Sequence, residues 1–252
     1  MIDLHCHILP GLDDGARNMD ESLAMARLQS EYGVSAVVCT PHVQEKSGIK
    51  VTRERIVDAV EGLRQALKKN SVDMEIYPGA EYYLDKPFPL LLEENHPLAT
   101  INSTNYVMVE FPMLHLPPYL EYSILKSDLD DPELKELIPF LRIIVAHPER
   151  NQEIMRKPEQ VEKLKESGAI MQMNLGSLMG IYGKQIRRTA EKLLKKGLID
   201  LVASDAHSEE HVRVAFKGVE KRIKKMAGDR AFHLLWEENP QRIVHGENVE
   251  HV

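Results

Sequence analysis

The sequence predicts an α/β fold built on parallel strands, and three observations carry that prediction. Seven short apolar runs alternate with segments of helical period, the mark of repeated βα units. A His, Asp or Glu stands at or just past six of the seven run ends, and an Asn at the other. In parallel α/β folds and barrels, sites form at those carboxyl ends. The 252 residues are 43% apolar, which suffices for a full core, and no stretch approaches the length of a membrane span. No linker, repeat or low-complexity stretch interrupts the chain, so residues 1–252 are expected to form one domain.

The first run is Met1–His7. Ile2, Leu4 and Cys6 alternate with Asp3, His5 and His7, a strand period that points the two histidines to one side. Two imidazoles so placed can reach one metal ion; the structural alternative is a pair of buried, hydrogen-bonded histidines. Ile8–Gly15 is a loop, rich in Pro, Gly and Asp. Its Asp13 and Asp14 are either turn residues or oxygen ligands a short step from the histidines. A helix opens at Asp20-Glu21 and stops near Gly33.

The second run, Ser35–Cys39, ends in Thr40-Pro41-His42. A helix is expected over Arg53–Lys69, where Ile56, Val57, Val60, Leu63 and Leu67 fall at helical spacing. The run Met74–Tyr77 leads through Pro78-Gly79-Ala80 to Glu81, and a further helix is expected near Pro87–Glu94. Tyr106–Val109 ends in Glu110. The Pro-rich stretch from Phe111 to Asp131 is expected to begin as a loop and to turn into a short helix, and a functional loop fits there. Ile143–Ala146 ends in His147. A helix over Pro158–Ser167 precedes the run Ala169–Met173, which ends in Asn174. A helix over Gln185–Lys196 precedes Ile199–Ala203, which ends in Ser204-Asp205-Ala206-His207. The remainder to about Val244 reads as helical, and Glu247–Val252 as a frayed tail.

One histidine after a strand is usually a satisfied core or turn residue. Ligand-type residues at six strand ends are much harder to explain by packing, and they predict a polynuclear metal site. Nitrogen and carboxylate donors without evident thiolate suit zinc, manganese or iron. Arg150, three residues past His147, carries the planar fork that matches a phosphate; the alternative is a surface ion pair with Glu149 or Glu153. Arg213 and Arg17 are weaker versions of the same idea. His96, His115, His211, His233, His245 and His251 fall outside the strand ends and are assigned no metal, with His115 the nearest to an exception.

Together, His5-Cys6-His7, Thr40-Pro41-His42, Gly79-Ala80-Glu81, Glu110-Phe111-Pro112, Ala146–Asn151 and Ser204–His207 resemble the PHP (polymerase and histidinol phosphatase) domain. Leu9–Ala16 and Gly176–Gln185 make the chain more similar to the CpsB/CapC family, bacterial manganese-dependent protein-tyrosine phosphatases of capsule and exopolysaccharide loci. The resemblance runs from Met1 to about His245. It implies a distorted (β/α)7 barrel with three divalent metal ions at one mouth, manganese first, with iron or zinc as alternatives. His5, His7, Glu81 and Asp205 would hold the first ion. Glu81, Glu110 and His147 would hold the second, and Asp14, His42 and His207 the third. Arg150 would grip phosphate, with Arg213 the nearest candidate for a second arginine. The reaction implied is attack of a metal-activated hydroxide on a phosphomonoester, with a third metal, or a proton from Asp205 or His207, stabilising the leaving group. The substrate implied is the phosphotyrosine tail of a bacterial tyrosine kinase; the competing reading is a small-molecule phosphatase acting on histidinol phosphate.

Other classes are excluded by the letters. A cysteinyl-phosphate mechanism needs an arginine six positions after the cysteine, but Leu12 and Glu45 stand there after Cys6 and Cys39. Both cysteines lie in apolar runs and are expected to be packed thiols, Cys6 facing away from the histidines. A net charge of -7 speaks against a nucleic-acid partner. The start has neither a basic segment nor an apolar one, which predicts a cytoplasmic protein without membrane insertion.

Overall fold

All seven apolar runs become strands. The structure is a computed structural model, and it describes residues 1–43, 51–86, 88–95, 97–117 and 140–251, leaving aside the side chains of 88–90 and 95. The strands are β1 (Ile2–Cys6), β2 (Ala36–Cys39), β3 (His42–Val43), β4 (Glu75–Pro78), β5 (Glu81–Tyr83), β6 (Tyr106–Glu110), β7 (Arg142–Ala146), β8 (Ile170–Asn174) and β9 (Leu201–Ala203). The breaks after β2 and β4 fall at Pro41, which lacks an N–H for the ladder, and at Gly79. A Cβ on Gly79 would lie 2.8 Å from Val38 Cγ1 and 3.2 Å from the Cys39 carbonyl, so only glycine lets these two paths approach.

Among the described residues every pairing is parallel, in the orders β1-β2-β4 and β3-β5-β6-β7-β8-β9. The last strand returns to the first. Asp205 N donates to His5 O at 2.8 Å, His7 N donates to Ala206 O at 3.0 Å, and Cys6 bridges Ala206. The sheet thus closes on itself as a distorted (β/α)7 barrel. Its closing seam is made by the two segments richest in candidate ligands.

The core is two concentric layers. Leu4, Val38, Met108, Ile144, Ala146 and Leu201 share the inner cluster, closed at the amino end by Ile101, Ile243 and Val244. Val37, Ile76, Val107, Val145, Met171 and Val202 share the outer cluster with the helices. Strands buried on both faces must be apolar throughout, which is why these runs read as continuous. The first strand departs from simple alternation. Its register slips between Asp3 and Cys6, so Cys6 packs with the outer layer while Ile2 and Leu4 pack inside. Asp3 and Cys6 both meet Gln29, and His5 and His7 still face the mouth together.

The helices are α1 (Met19–Glu31), α2 (Arg53–Lys69), α3 (Phe88–Asn95), α4 (Gln152–Arg156), α5 (Gln160–Glu166), α6 (Leu175–Met179), α7 (Lys184–Lys195), α8 (Glu209–Phe216), α9 (Val219–Ala227), α10 (Asp229–His233) and α11 (Asn239–Val244). Asn18, Thr52, Asn151 and Ser208 cap α1, α2, α4 and α8 with their side-chain oxygens. The C-terminal stretch is helical as expected, interrupted where Gly218 (φ 74°) and Gly228 (φ 91°) turn the chain so that Phe216, Ile223, Phe232 and Trp236 all reach the outer core. One expectation needs correction. The tail is not frayed. Asn239 exchanges two hydrogen bonds with Glu250, and His251 Nδ1 lies 2.8 Å from Asp200 Oδ1, because buried Asn239 and Asp200 need those partners. Two short helices, α4 and α6, follow strand ends too closely for a periodic signal. Of the Phe111–Asp131 stretch, 111–117 is irregular as expected, and the expected helix beyond it lies outside the described residues. Among the described residues no helix is long and apolar enough to cross a membrane.

Candidate metal centre

The barrel brings the strand-end residues to one mouth. His5 and His7 leave β1, His42 opens β3, Glu81 opens β5, Glu110 ends β6, and His147, Asp205 and His207 follow β7 and β9. Asp14 comes from the β1–α1 loop. Gly15 is required beside it, since a Cβ there would fall 2.1 Å from the His7 carbonyl oxygen. His147 (φ 33°) and Asp205 (φ 52°) hold left-handed backbone conformations, a strain typical of functional positions.

Their donor atoms form three groups, each within 4.8 Å: His5, His7, Glu81 and Asp205; His7, Asp14, His42 and His207; and His42, Glu81 and Glu110. The first is fully buried, while the second opens to solvent through Asp14. In the first group five separations run from 3.1 to 3.5 Å: His5 Nε2 to His7 Nε2, and each of these nitrogens to Glu81 Oε2 and Asp205 Oδ1. Tetrahedral donors at about 2.1 Å from an ion stand roughly 3.4 Å apart, so the group fits a metal. The third group differs from the resemblance in detail. His42 completes it, while His147 Nε2 lies 3.1 Å from Glu81 Oε1 and 3.7 Å from Glu110 Oε1.

A hydrogen-bond chain fixes which nitrogens face the centre. The Asp205 carboxylate can only accept, so Asn174 Nδ2 donates to its Oδ2 at 2.6 Å. Asn174 Oδ1 then accepts from Gln172 Nε2 at 3.0 Å, and Gln172 Oε1 accepts from His5 Nδ1 at 2.8 Å. Asp13 Oδ2 likewise accepts from His7 Nδ1 at 2.7 Å, and the Asp205 carbonyl accepts from His207 Nδ1 at 2.9 Å. With both Nδ1 atoms protonated, the Nε2 lone pairs of His5 and His7 point at each other, an arrangement that demands a cation or a proton between them. His42 Nδ1 and Glu81 Oε2, buried and 3.0 Å apart, make no hydrogen bond of acceptable geometry. Orphaned donors of this kind suit a metal as well.

Without an ion the cluster stores protons. Burial opposes charge on His5, but Glu81 and Asp205 outweigh it and raise the imidazole to about 9. His7 is raised well above its usual value, against burial, by Asp13, Asp205 and Glu81. Glu81 and Asp205 are held well below the carboxylate range despite burial, chiefly by the charge on His5. Asp14 is lowered to about 2 by the hydrogen bond with His207. Burial and the Glu81 charge push Glu110 up. An Asp205 held ionised favours a ligand role for it over that of proton donor.

Arg150 stands on the rim, with Nη1 donating to Asp205 Oδ2 at 2.9 Å and its guanidinium carbon 4.5 Å over the Tyr182 ring. Arg213 is not brought to the cluster: its guanidinium, half exposed, pairs with Glu209 and Glu210 of its own helix, at 2.5 and 3.7 Å. Arg17 is exposed and pairs with Glu21. Cys6 and Cys39 are buried free thiols, and burial pushes both pKa values up. Sequence reasoning missed Asp13 as the partner of His7, Gln172 as the partner of His5, and Tyr182 beside Arg150. Gln172 carried a signal, since it breaks an otherwise apolar strand two residues before Asn174.

A parallel (β/α)7 barrel with a buried His/carboxylate cluster at its carboxyl-end mouth defines a metal-dependent hydrolase. Residues 1–245 match the family model for capsular polysaccharide synthesis, CpsB/CapC, and the chain belongs to that family. It is 38% identical over 209 residues to the tyrosine-protein phosphatase YwqE of Bacillus subtilis, covering 82% of this chain and 78% of the relative. It is 26% identical over 249 residues to the tyrosine-protein phosphatase CpsB of Streptococcus pneumoniae, covering 97% and 98%. A solved structure from work on these two proteins, described as unique metal-dependent tyrosine phosphatases, superposes with a TM-score of 0.88 at 32% identity, covering 100% of this chain and 97% of that one. A lactonase from Listeria monocytogenes shares the fold alone, with a TM-score of 0.56 at 15% identity over 99% and 94% of the chains.

Proposed function

We propose that the protein is a metal-dependent protein-tyrosine phosphatase acting on the phosphotyrosine tail of a bacterial tyrosine kinase that controls capsule or exopolysaccharide synthesis. The observation that carries the reading is the juxtaposition of the buried His/carboxylate cluster with Arg150 on its rim. We assign His5, His7, Glu81 and Asp205 to one ion; Glu81 and Glu110, with His42 and His147, to a second; and Asp14, His42 and His207, with His7, to a third. Manganese is the first candidate for all three. Divalent ions held there would lower the pKa of water and neutralise phosphoryl oxygens.

The chain's own groups do the rest. Asp13 and Gln172 lock the His7 and His5 rings. Asp205 anchors one arm of the Arg150 guanidinium and leaves the others for phosphate. His207, partly exposed beside Asp14, is placed to hold a proton at the mouth. A phenolate leaving group, with a pKa of about 10, needs no strong acid. The family membership and the likeness to the solved tyrosine-phosphatase fold support this reading, and residues 1–252 are taken as one catalytic domain, cytoplasmic in location.

The test is phosphate release from a phosphotyrosine peptide, a phosphoserine peptide and histidinol phosphate, with Mn²⁺ supplied or chelated. Metal-dependent release that favours phosphotyrosine is expected. Preference for histidinol phosphate would move the protein to a small-molecule substrate. No release from a metal-loaded protein would sink the phosphatase reading.

A further inference from the structure

We infer that Tyr182 binds substrate: its hydroxyl donates a hydrogen bond to the phosphoryl group that Arg150 grips, and His211 sets the direction of that donation. The inference rests on the phosphatase reading above and adds a residue to it. Tyr182 lies in the turn between α6 and α7. Its ring stacks under the Arg150 guanidinium at 4.5 Å, while Asp205 holds Nη1 of the same group at 2.9 Å. The phenol and the arginine are therefore placed by one another.

The hydroxyl lies 2.9 Å from His211 Nε2. The other nitrogen of that ring, Nδ1, receives the backbone N–H of His207 at 3.4 Å. A backbone N–H can only donate, so Nδ1 is the acceptor and the ring proton sits on Nε2. His211 Nε2 thus donates to the phenol oxygen, and the proton of Tyr182 is not spent on His211. It is left for an acceptor at the mouth, next to the guanidinium, where a phosphomonoester oxygen would lie.

Gly176 supplies a second, independent observation. A Cβ there would lie 3.3 Å from both Tyr182 Cε2 and His211 Nε2, and 2.9 Å from Ile181 Cδ1. The missing side chain gives the phenol and the imidazole room to meet. His211, passed over as a metal ligand, gains a role as a positioning residue.

The experiment compares Tyr182→Phe with the unsubstituted protein, using inorganic phosphate as a competitive inhibitor of phenyl phosphate hydrolysis, with metal content measured in each sample. Phenylalanine keeps the stacking surface and removes only the hydroxyl. The inhibition constant should rise about tenfold or more, the size of one hydrogen bond to a charged acceptor, with metal content unchanged. His211→Ala and Gly176→Ala should shift the same constant in the same direction by less. An unmoved constant in Tyr182→Phe overturns the inference alone. A raised constant accompanied by metal loss also overturns it, because Tyr182 would then serve only the integrity of the centre. An unsubstituted protein that hydrolyses no aryl phosphate would overturn the phosphatase reading and this inference with it.

Discussion

Loading the metal-free protein with Mn²⁺ at pH 8 should release about one proton per molecule or more. The number follows from the charges around two imidazoles. His5 has a pKa of about 9 despite burial, because Glu81 and Asp205 face it. At pH 8 roughly nine-tenths of such a group is protonated, against roughly 3% of an imidazole with the ordinary value. His7 is raised as well, and its Nε2, 3.1 Å from that of His5, shares this proton. That proton must leave before the Nε2 atoms can bind an ion. The sign fixes the pH window. Raised histidine pKa values stabilise the metal-free fold fully below about 6.5, and that stabilisation fades as pH rises through about 9. Metal affinity should rise over the same interval. Titration calorimetry in two buffers of different ionisation enthalpy reads the proton count directly. Glu81→Gln, which removes the carboxylate 3.2 Å from His5 Nε2, should lower the count by about half a proton or more. Release of fewer than about 0.3 protons from the unsubstituted protein would refute the electrostatic reasoning.

Three further outcomes are expected. Arg150→Ala should cost about 10²–10³ in kcat/KM for an aryl phosphate, the scale of losing a charged donor to the transition state, whereas Arg213→Ala should stay within about twofold; comparable losses would put Arg213 at the mouth after all. Cys6→Ser should keep its activity and metal content, since the buried Sγ lies against Gln29 and the Ala206 carbonyl, away from the ligand cluster; complete loss with intact metal content would point back to cysteine chemistry. Asp200→Ala strips partners from the buried Met171 N–H, Lys165 and His251, so the protein should lose about 2–4 kcal/mol, seen as a fall in Tm of roughly 5–10 °C.

Much of this was legible in the letters, for identifiable reasons. A strand buried on both faces must be apolar, so Val37, Val107, Val145 and Val202 announced their strands, and Leu63 and Leu67 announced α2 by their spacing. A polar letter ending such a run stands out, which marked His42, Glu110, His147 and Asp205 before any geometry was known. The breaks within the C-terminal helical stretch were not legible, because glycines at 218 and 228 can stop a helix or be tolerated in one, and packing on the barrel decides between the two.

The sequence by itself determined the βα order, the strand-end candidates for metal ligands and the family, because each is written in local pattern and motif. Only the tertiary structure decided what depends on distant pairings. Closure through Cys6 and Ala206 joins residues 200 positions apart, and it alone sets His5 against Glu81 and Asp205. It also set Gln172 on His5 across 167 positions and placed Tyr182 under Arg150. No local rule specifies such contacts. They arise when a closed barrel brings the ends of all its strands to one mouth.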